Sequence, residues 1–97
     1  MKLISLSRAT SSKHKYTATI KDPQNRLHHI HFGARGYDDF TTTNDEQRKK
    51  SYLARHGVTE NWTSSGILTA GFWSRWVLWN KKSVSASLQD LKKRFNI

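Results

Sequence analysis

The chain has 97 residues, 17 Lys and Arg against seven Asp and Glu, a net charge of +10 and 35% hydrophobic residues, which suits one domain (residues 1–97) with a modest core. It contains no Cys, which excludes disulfides, thiol nucleophiles and thiolate metal sites and fits a reducing compartment. No apolar run approaches the roughly 20 residues of a membrane span, and the stretch Met1 to Leu6 is expected to be too short for a signal peptide.

Residues 2–8 alternate weakly and predict a short strand, with Ile4 and Leu6 on one face. Lys13 to Lys21 alternates cleanly: Tyr16, Ala18 and Ile20 face one way, and Lys15, Thr17, Thr19 and Lys21 the other. Asp22-Pro23-Gln24-Asn25 is a turn, because Pro23 sets its own φ and Asp22 can accept from nearby amides. Arg26 to Phe32 then returns as a second strand of a hairpin, with Ile30 and Phe32 inward. Gly33 and Gly36 bracket a loop, and Tyr37 to Thr43 reads as irregular.

Asn44 is the expected N-cap of a helix over about Asp45 to His56, with Gln47 at the capping-box position and Gly57 as a left-handed terminator. Tyr52, Leu53 and His56 share one face of it. Val58 to Ile67 is a polar linker anchored by Trp62, and Thr69 is placed to cap the aromatic segment Ala70 to Asn80. That segment holds three of the four Trp residues. Phe72, Trp76 and Trp79 follow i, i+4, i+7, and Trp73 widens the stripe. Ser83 can cap a last helix, whose apolar seam is Val84, Leu88, Leu91 and Phe95. The order predicts an α+β fold: a small antiparallel sheet of two to three strands, then about three short helices.

Four groups of residues carry candidate chemistry. In the aromatic segment, Trp76 and Trp79 suit a core, while an exposed Phe72 or Trp73, with Trp62 and Arg75, would anchor a partner. The cations Arg48, Lys49, Lys50 and Arg55, with Lys81 and Lys82, form patches that would grip phosphates without reading sequence, or would meet an acidic protein surface. The histidines come next. His29 and His31 share a strand face, and with Asp38 they are the only candidates for a metal-dependent site, but a zinc site needs a third converging ligand from His14 or His56. His28, His29 and His31 otherwise add charge at mildly acidic pH. Adjacent Asp38 and Asp39 point apart on most backbones and suit capping or Arg pairing. No Walker, nucleophile-elbow or dinucleotide motif is present, so the expectation is a non-enzymatic protein with no cofactor.

From Phe32 onward the chain resembles an uncharacterised group of small basic proteins of large nucleocytoplasmic DNA viruses of algae and amoebae. The resemblance rests on Phe32 to Thr41, Arg48 to His56, Glu60-Asn61-Trp62, Ala70 to Lys81 and Lys93-Arg94-Phe95. The link Ser64 to Leu68 is longer than the group's. The group lends no residue roles. What the resemblance implies is a setting, in the virion or host cytoplasm. Two functions follow as expectations: a minor capsid or capsid-associated protein that binds other virion proteins, or a protein bound to the viral DNA or RNA.

Overall fold

Two tight turns fold the first 34 residues into an antiparallel meander. In the computed structural model, which describes residues 1–97, β1 (Lys2–Arg8), β2 (His14–Lys21) and β3 (Leu27–Ala34) lie in the order β1-β2-β3. The β2–β3 turn forms as its residues require. Asp22 Oδ1 accepts from the amides of Gln24 and Arg26, both at 2.9 Å. Asn25 takes a left-handed φ of 64°, which Asn tolerates better than most residues. Ala18, Ile20 and Phe32 are buried, with Tyr16 and Ile30 packed beside them, so the period-two reading of both strands holds.

The first strand departs from its expected pattern. The β1–β2 register shifts between Leu3 and Ser5, so that Leu3 pairs with Ile20 and Leu6 with Ala18. Ile4 is the extra residue of a β-bulge. It is 49% exposed, while Leu3 and Leu6 pack against the core. An extra residue reverses the facing of everything before it, so Ile4 and Leu6 do not share a face.

Four short α-helices follow the sheet, and the fold is α+β. The first, α1 (Phe40–Thr43), forms in a stretch that reads as irregular because Asp39 caps it. The Asp39 carboxylate accepts from the Thr41 amide at 2.8 Å, and the Asp39 amide donates to the Thr42 hydroxyl at 2.9 Å. Asn44 is therefore not an N-cap; it ends α1 with a φ of 53°. The next residue, Asp45, caps α2 (Glu46–His56) through the amides of Gln47 and Arg48. Gly57 has an ordinary φ of −62° rather than a left-handed one. The amides of Thr59 and Glu60 bend back to the His56 carbonyl, so the chain leaves α2 without reversing hand.

The aromatic segment begins as α3 (Ala70–Trp73), with the Thr69 hydroxyl as its cap. It then widens into one π turn, Ser74–Leu78, where the Trp79 amide donates to the Ser74 carbonyl at 3.1 Å. A π turn holds one residue more than an α turn. The buried pairs are accordingly Phe72 and Trp73, then Val77 and Leu78, five positions on. Trp76 and Trp79, which the i, i+4, i+7 pattern assigns to the core, lie half-buried at its margin. The last helix, α4 (Val84–Phe95), is capped by Ser83 and buries Leu91 completely. Val84, Leu88 and Phe95 lie along the same seam.

Trp73 sits where sheet and helices meet. Its ring centroid is 6.3 Å from that of Phe32 on β3 and 5.3 Å from Phe72, and its Nε1 donates to the Ile67 carbonyl at 2.7 Å. Both Phe72 and Trp73 are wholly inaccessible. Emptying either site leaves a cavity between layers that cannot close, so Phe72→Ala and Trp73→Ala are each expected to cost about 3–5 kcal/mol. Denaturant unfolding checks this; a loss within about 0.5 kcal/mol, normal for a surface position, would mean the segment is not the core.

Candidate nucleic-acid interface

The fold uses almost all of its acidic groups internally. Asp39 receives Lys15 Nζ at 2.6 Å, Asp22 faces His28 Nε2 at 2.8 Å, and Glu60 faces His56 Nδ1 at 3.1 Å. Asp90 holds Arg94, Asp38 lies 3.7 Å from Arg48, and Asp45 caps α2. Of the 17 Lys and Arg, only Lys15, Arg48 and Arg94 have a carboxylate within 4.0 Å. The remaining cations have no acidic partner.

Among those cations, Arg75 and Lys49 lie beside aromatic rings, as does the paired Arg94. Arg75, on the π turn, lies between two indoles: its guanidinium carbon is 4.2 Å from the ring centroid of Trp76 and 5.5 Å from that of Trp62. Arg94 of α4 stands 4.6 Å from the Trp76 ring. Trp62 is fixed at both ends, since its Nε1 donates to Glu60 at 2.9 Å and its carbonyl accepts from Trp76 Nε1 at 2.9 Å. On α2, Tyr52 stacks on Trp79 at 4.3 Å and on His56 at 4.2 Å. Lys49 bends under the helix, donates to the Asn80 carbonyl at 2.6 Å and covers the Phe40 ring at 4.8 Å.

The ionisation of this ridge reflects its crowding. Burial, then the nearby Arg75 and Lys81 charges, hold the Lys49 ammonium below its usual range. Burial and then Arg94 do the same to Arg75. Like charges share a partly dry surface and raise one another's free energy. An anion laid across Lys49, Lys81, Arg75 and Arg94 would relieve that repulsion.

The predicted cationic helix is divided by its own twist. Arg48, Ser51 and Arg55 face a cleft of about 570 Å³, Lys49 faces the Asn80 turn, and Lys50 points to solvent. The cleft opens between the chain after β3, α2 and the π turn. Gly33 makes that approach possible. It has a φ of +77°, and a Cβ there would strike the Leu78 side chain. Lys82 is exposed at the end of the ridge, and its carbonyl accepts from Asn44 Nδ2.

Two of the four expected partner anchors are displaced. Phe72 and Trp73 are core residues, so neither can reach a partner; packing against Phe95 and Phe32 places them inside. Trp62 and Arg75 remain half-buried at the surface. The large exposed apolar residues, Ile4, Leu27, Tyr37, Val58 and Leu68 among them, come from separate elements. His29 and His31 do lie on the outer sheet face, but their Nδ1 atoms are engaged by Thr19 and Thr17 at 3.1 and 2.8 Å. No group of three or more His, Asp or Glu side chains converges to hold an ion, so Asp38 does not join them. Asp38 and Asp39 point apart as expected, one to Arg48 and the other to Lys15 and the α1 cap.

Sequence reasoning missed Glu60, which ties His56 to Trp62, and Tyr37, which is 74% exposed. Tyr37 had a readable signal: an aromatic between Gly36 and Asp38, outside any apolar period, has no face to bury.

Asp90 fastens the ridge from beneath. The buried Asn80 amide donates to it at 2.7 Å and is the first cause of its lowered pKa; Arg94 adds to it. The folded value lies below the unfolded one, so this stabilisation is complete above the ordinary carboxylate range and is lost as pH falls through the folded value. Wild-type melting temperature is expected to fall from pH 5 to pH 2.5, and Asp90→Asn to fall less over the same interval while melting lower at pH 7. Parallel profiles of the two proteins would remove Asp90 from this role.

Residues 4–56 match a family model described as a family of unknown function (DUF5754). The match takes in nearly all of the sheet, α1 and α2. No curated protein and no solved structure matches the chain. No helix is long and apolar enough to cross a membrane.

Proposed function

The chain belongs to this family of unknown function, and from its own geometry we propose that it is a small polyanion-binding protein that grips nucleic-acid phosphates without reading base sequence. The observation that carries this reading is the ridge of Lys49, Lys81, Arg75 and Arg94. Arg75 and Arg94 both lie over the Trp76 ring, Arg75 also stands 5.5 Å from the Trp62 ring, Lys49 bonds the Asn80 carbonyl next to Lys81, and Lys49, Lys81 and Arg75 have no carboxylate within 4.0 Å. Lys82, Lys50, Arg48 and Arg55 extend positive charge to either side of α2.

The physics runs from charge to affinity. A nucleic-acid backbone carries condensed counterions, and each phosphate neutralised by Lys or Arg releases them, so binding is driven by entropy and weakens with salt. The guanidinium of Arg75 is held by the Trp76 ring and by its bond to the Trp79 carbonyl at 2.8 Å, which lowers the conformational entropy lost when it meets a phosphate. Contacts of this kind position a backbone; they do not specify bases. Burial of Phe72 and Trp73 supports this reading over assembly through apolar anchors. In the virion or host cytoplasm suggested by the viral resemblance, the partner would be the genome or its transcripts.

A fluorescein-labelled oligonucleotide titrated at rising salt tests the reading. Binding is expected to persist at about 150 mM salt, with log K falling linearly against log salt by about 0.7–0.9 per phosphate contacted. Lys49→Gln and Lys81→Gln are each expected to lower the slope by roughly one such increment. Absence of binding at that salt, or a slope indifferent to both substitutions, would refute it.

A further inference from the structure

Resting on the nucleic-acid reading, we propose that the cleft beside α2 receives an unpaired nucleotide, which makes this protein a binder of single strands rather than duplexes. Three observations meet there. The cleft of about 570 Å³ has the size of a small-molecule site; one nucleotide fits it, and an intact double helix does not. One wall is basic: Arg48 and Arg55 stand two turns apart on α2, about 10 Å along its axis, with the Ser51 hydroxyl between them. Arg55 has no carboxylate partner, and Arg48 has only the exposed contact with Asp38 at 3.7 Å. Tyr37, which is 74% exposed, lines the same cleft, as do Asp38 and Asp39, whose carboxylates pair with Arg48 and Lys15.

An aromatic ring left open beside two guanidinium groups is matched by a ligand with a flat π face next to a phosphate. Nucleotides carry both within a few bonds. Base stacking on aromatic side chains tolerates any base, and a cationic groove tracks the backbone, which is how sequence-indifferent single-strand binding works. A paired base is unavailable for this because both its faces are covered by its neighbours. The floor of the cleft is closed and rigid: Tyr52 stacks on Trp79, and Asp39 holds Lys15. The open ring is Tyr37, not the buried Tyr52. The ridge on the far side of α2 and the two arginines on the near side would then hold successive phosphates of one strand, with a base turned into the cleft.

The decisive comparison uses the full chain, a labelled oligothymidine and a mixed-sequence duplex of equal length, at one salt concentration. The single strand is expected to bind at least tenfold more tightly than the duplex. Tyr37→Ala is expected to weaken single-strand binding by roughly fivefold or more, the scale of one base stack, and to leave duplex binding unchanged. Arg48→Gln with Arg55→Gln is expected to reduce single-strand affinity and its salt slope together. These positions are exposed, so the variants should melt like wild type, and circular dichroism checks that they do. Equal affinity for both nucleic acids, with Tyr37→Ala silent, overturns the cleft assignment while leaving the ridge as a phosphate binder. Failure to bind either at about 150 mM salt, where phosphate-driven binding should still be measurable, overturns both.

Discussion

The contact between Trp73 and Phe32, ring to ring at 6.3 Å, is what the rest of the molecule is arranged around. It joins the end of the meander to the aromatic segment, Trp73 lying 41 residues beyond Phe32 in the chain. The Trp73 indole N–H is satisfied by the Ile67 carbonyl, so a ring that carries a polar atom can be buried completely. Phe72 turns the other way and meets Phe95 of α4 edge to face at 4.9 Å. Two neighbouring residues thus bind the sheet on one side and the last helix on the other. The π turn that follows is the local adjustment that lets Val77 and Leu78 continue this interior.

With so few apolar residues, the fold draws on its carboxylates to finish its edges. Caps and side-chain pairs occupy Asp39, Asp45, Asp22, Glu60 and Asp90. Side-chain polar atoms are satisfied throughout the interior. The same arrangement leaves the positive charge outward and largely uncompensated. Individual surface pairs contribute little to stability, so the excess of cations is not explained by the fold's own needs. It lies at the surface, and the guanidinium groups of Arg75 and Arg94 stand over aromatic rings.

Much of this was legible in the sequence because it depends on short-range rules. Strict alternation in Lys13 to Lys21, the Asp22-Pro23 turn and the Ser83 and Thr69 caps each involve neighbours within a few residues. The failures arise where tertiary packing overrides the local period. A bulge at Ile4 and a π turn after Trp73 each add one residue, and no pattern of i+2 or i+4 announces them. The residue added in the π turn keeps Val77 and Leu78 in phase with the buried Phe72 and Trp73 and leaves Trp76 at the margin, which changes the expected partner surface. Helix α1 was hidden for another reason: it is a single turn with no apolar period, and although Asp39 suits a cap, four residues are too few to show a helical pattern. The cationic residues were legible as a set, but their division between the two sides of α2 follows from how Tyr52 seats that helix on Trp79.

On our proposal a polyanion meets the ridge formed by α2, the π turn and the start of the Asn80 turn. Backbone amide shifts in two-dimensional nitrogen–proton spectra, recorded as an unlabelled oligonucleotide is added, locate the contact directly. The largest changes are expected at Lys49, Arg75, Lys81 and their neighbours, together with the indole signals of Trp62 and Trp76, while the outer sheet face at Thr17, Thr19, His29 and His31 stays still. Changes concentrated on that sheet face, or none at all, would contradict it.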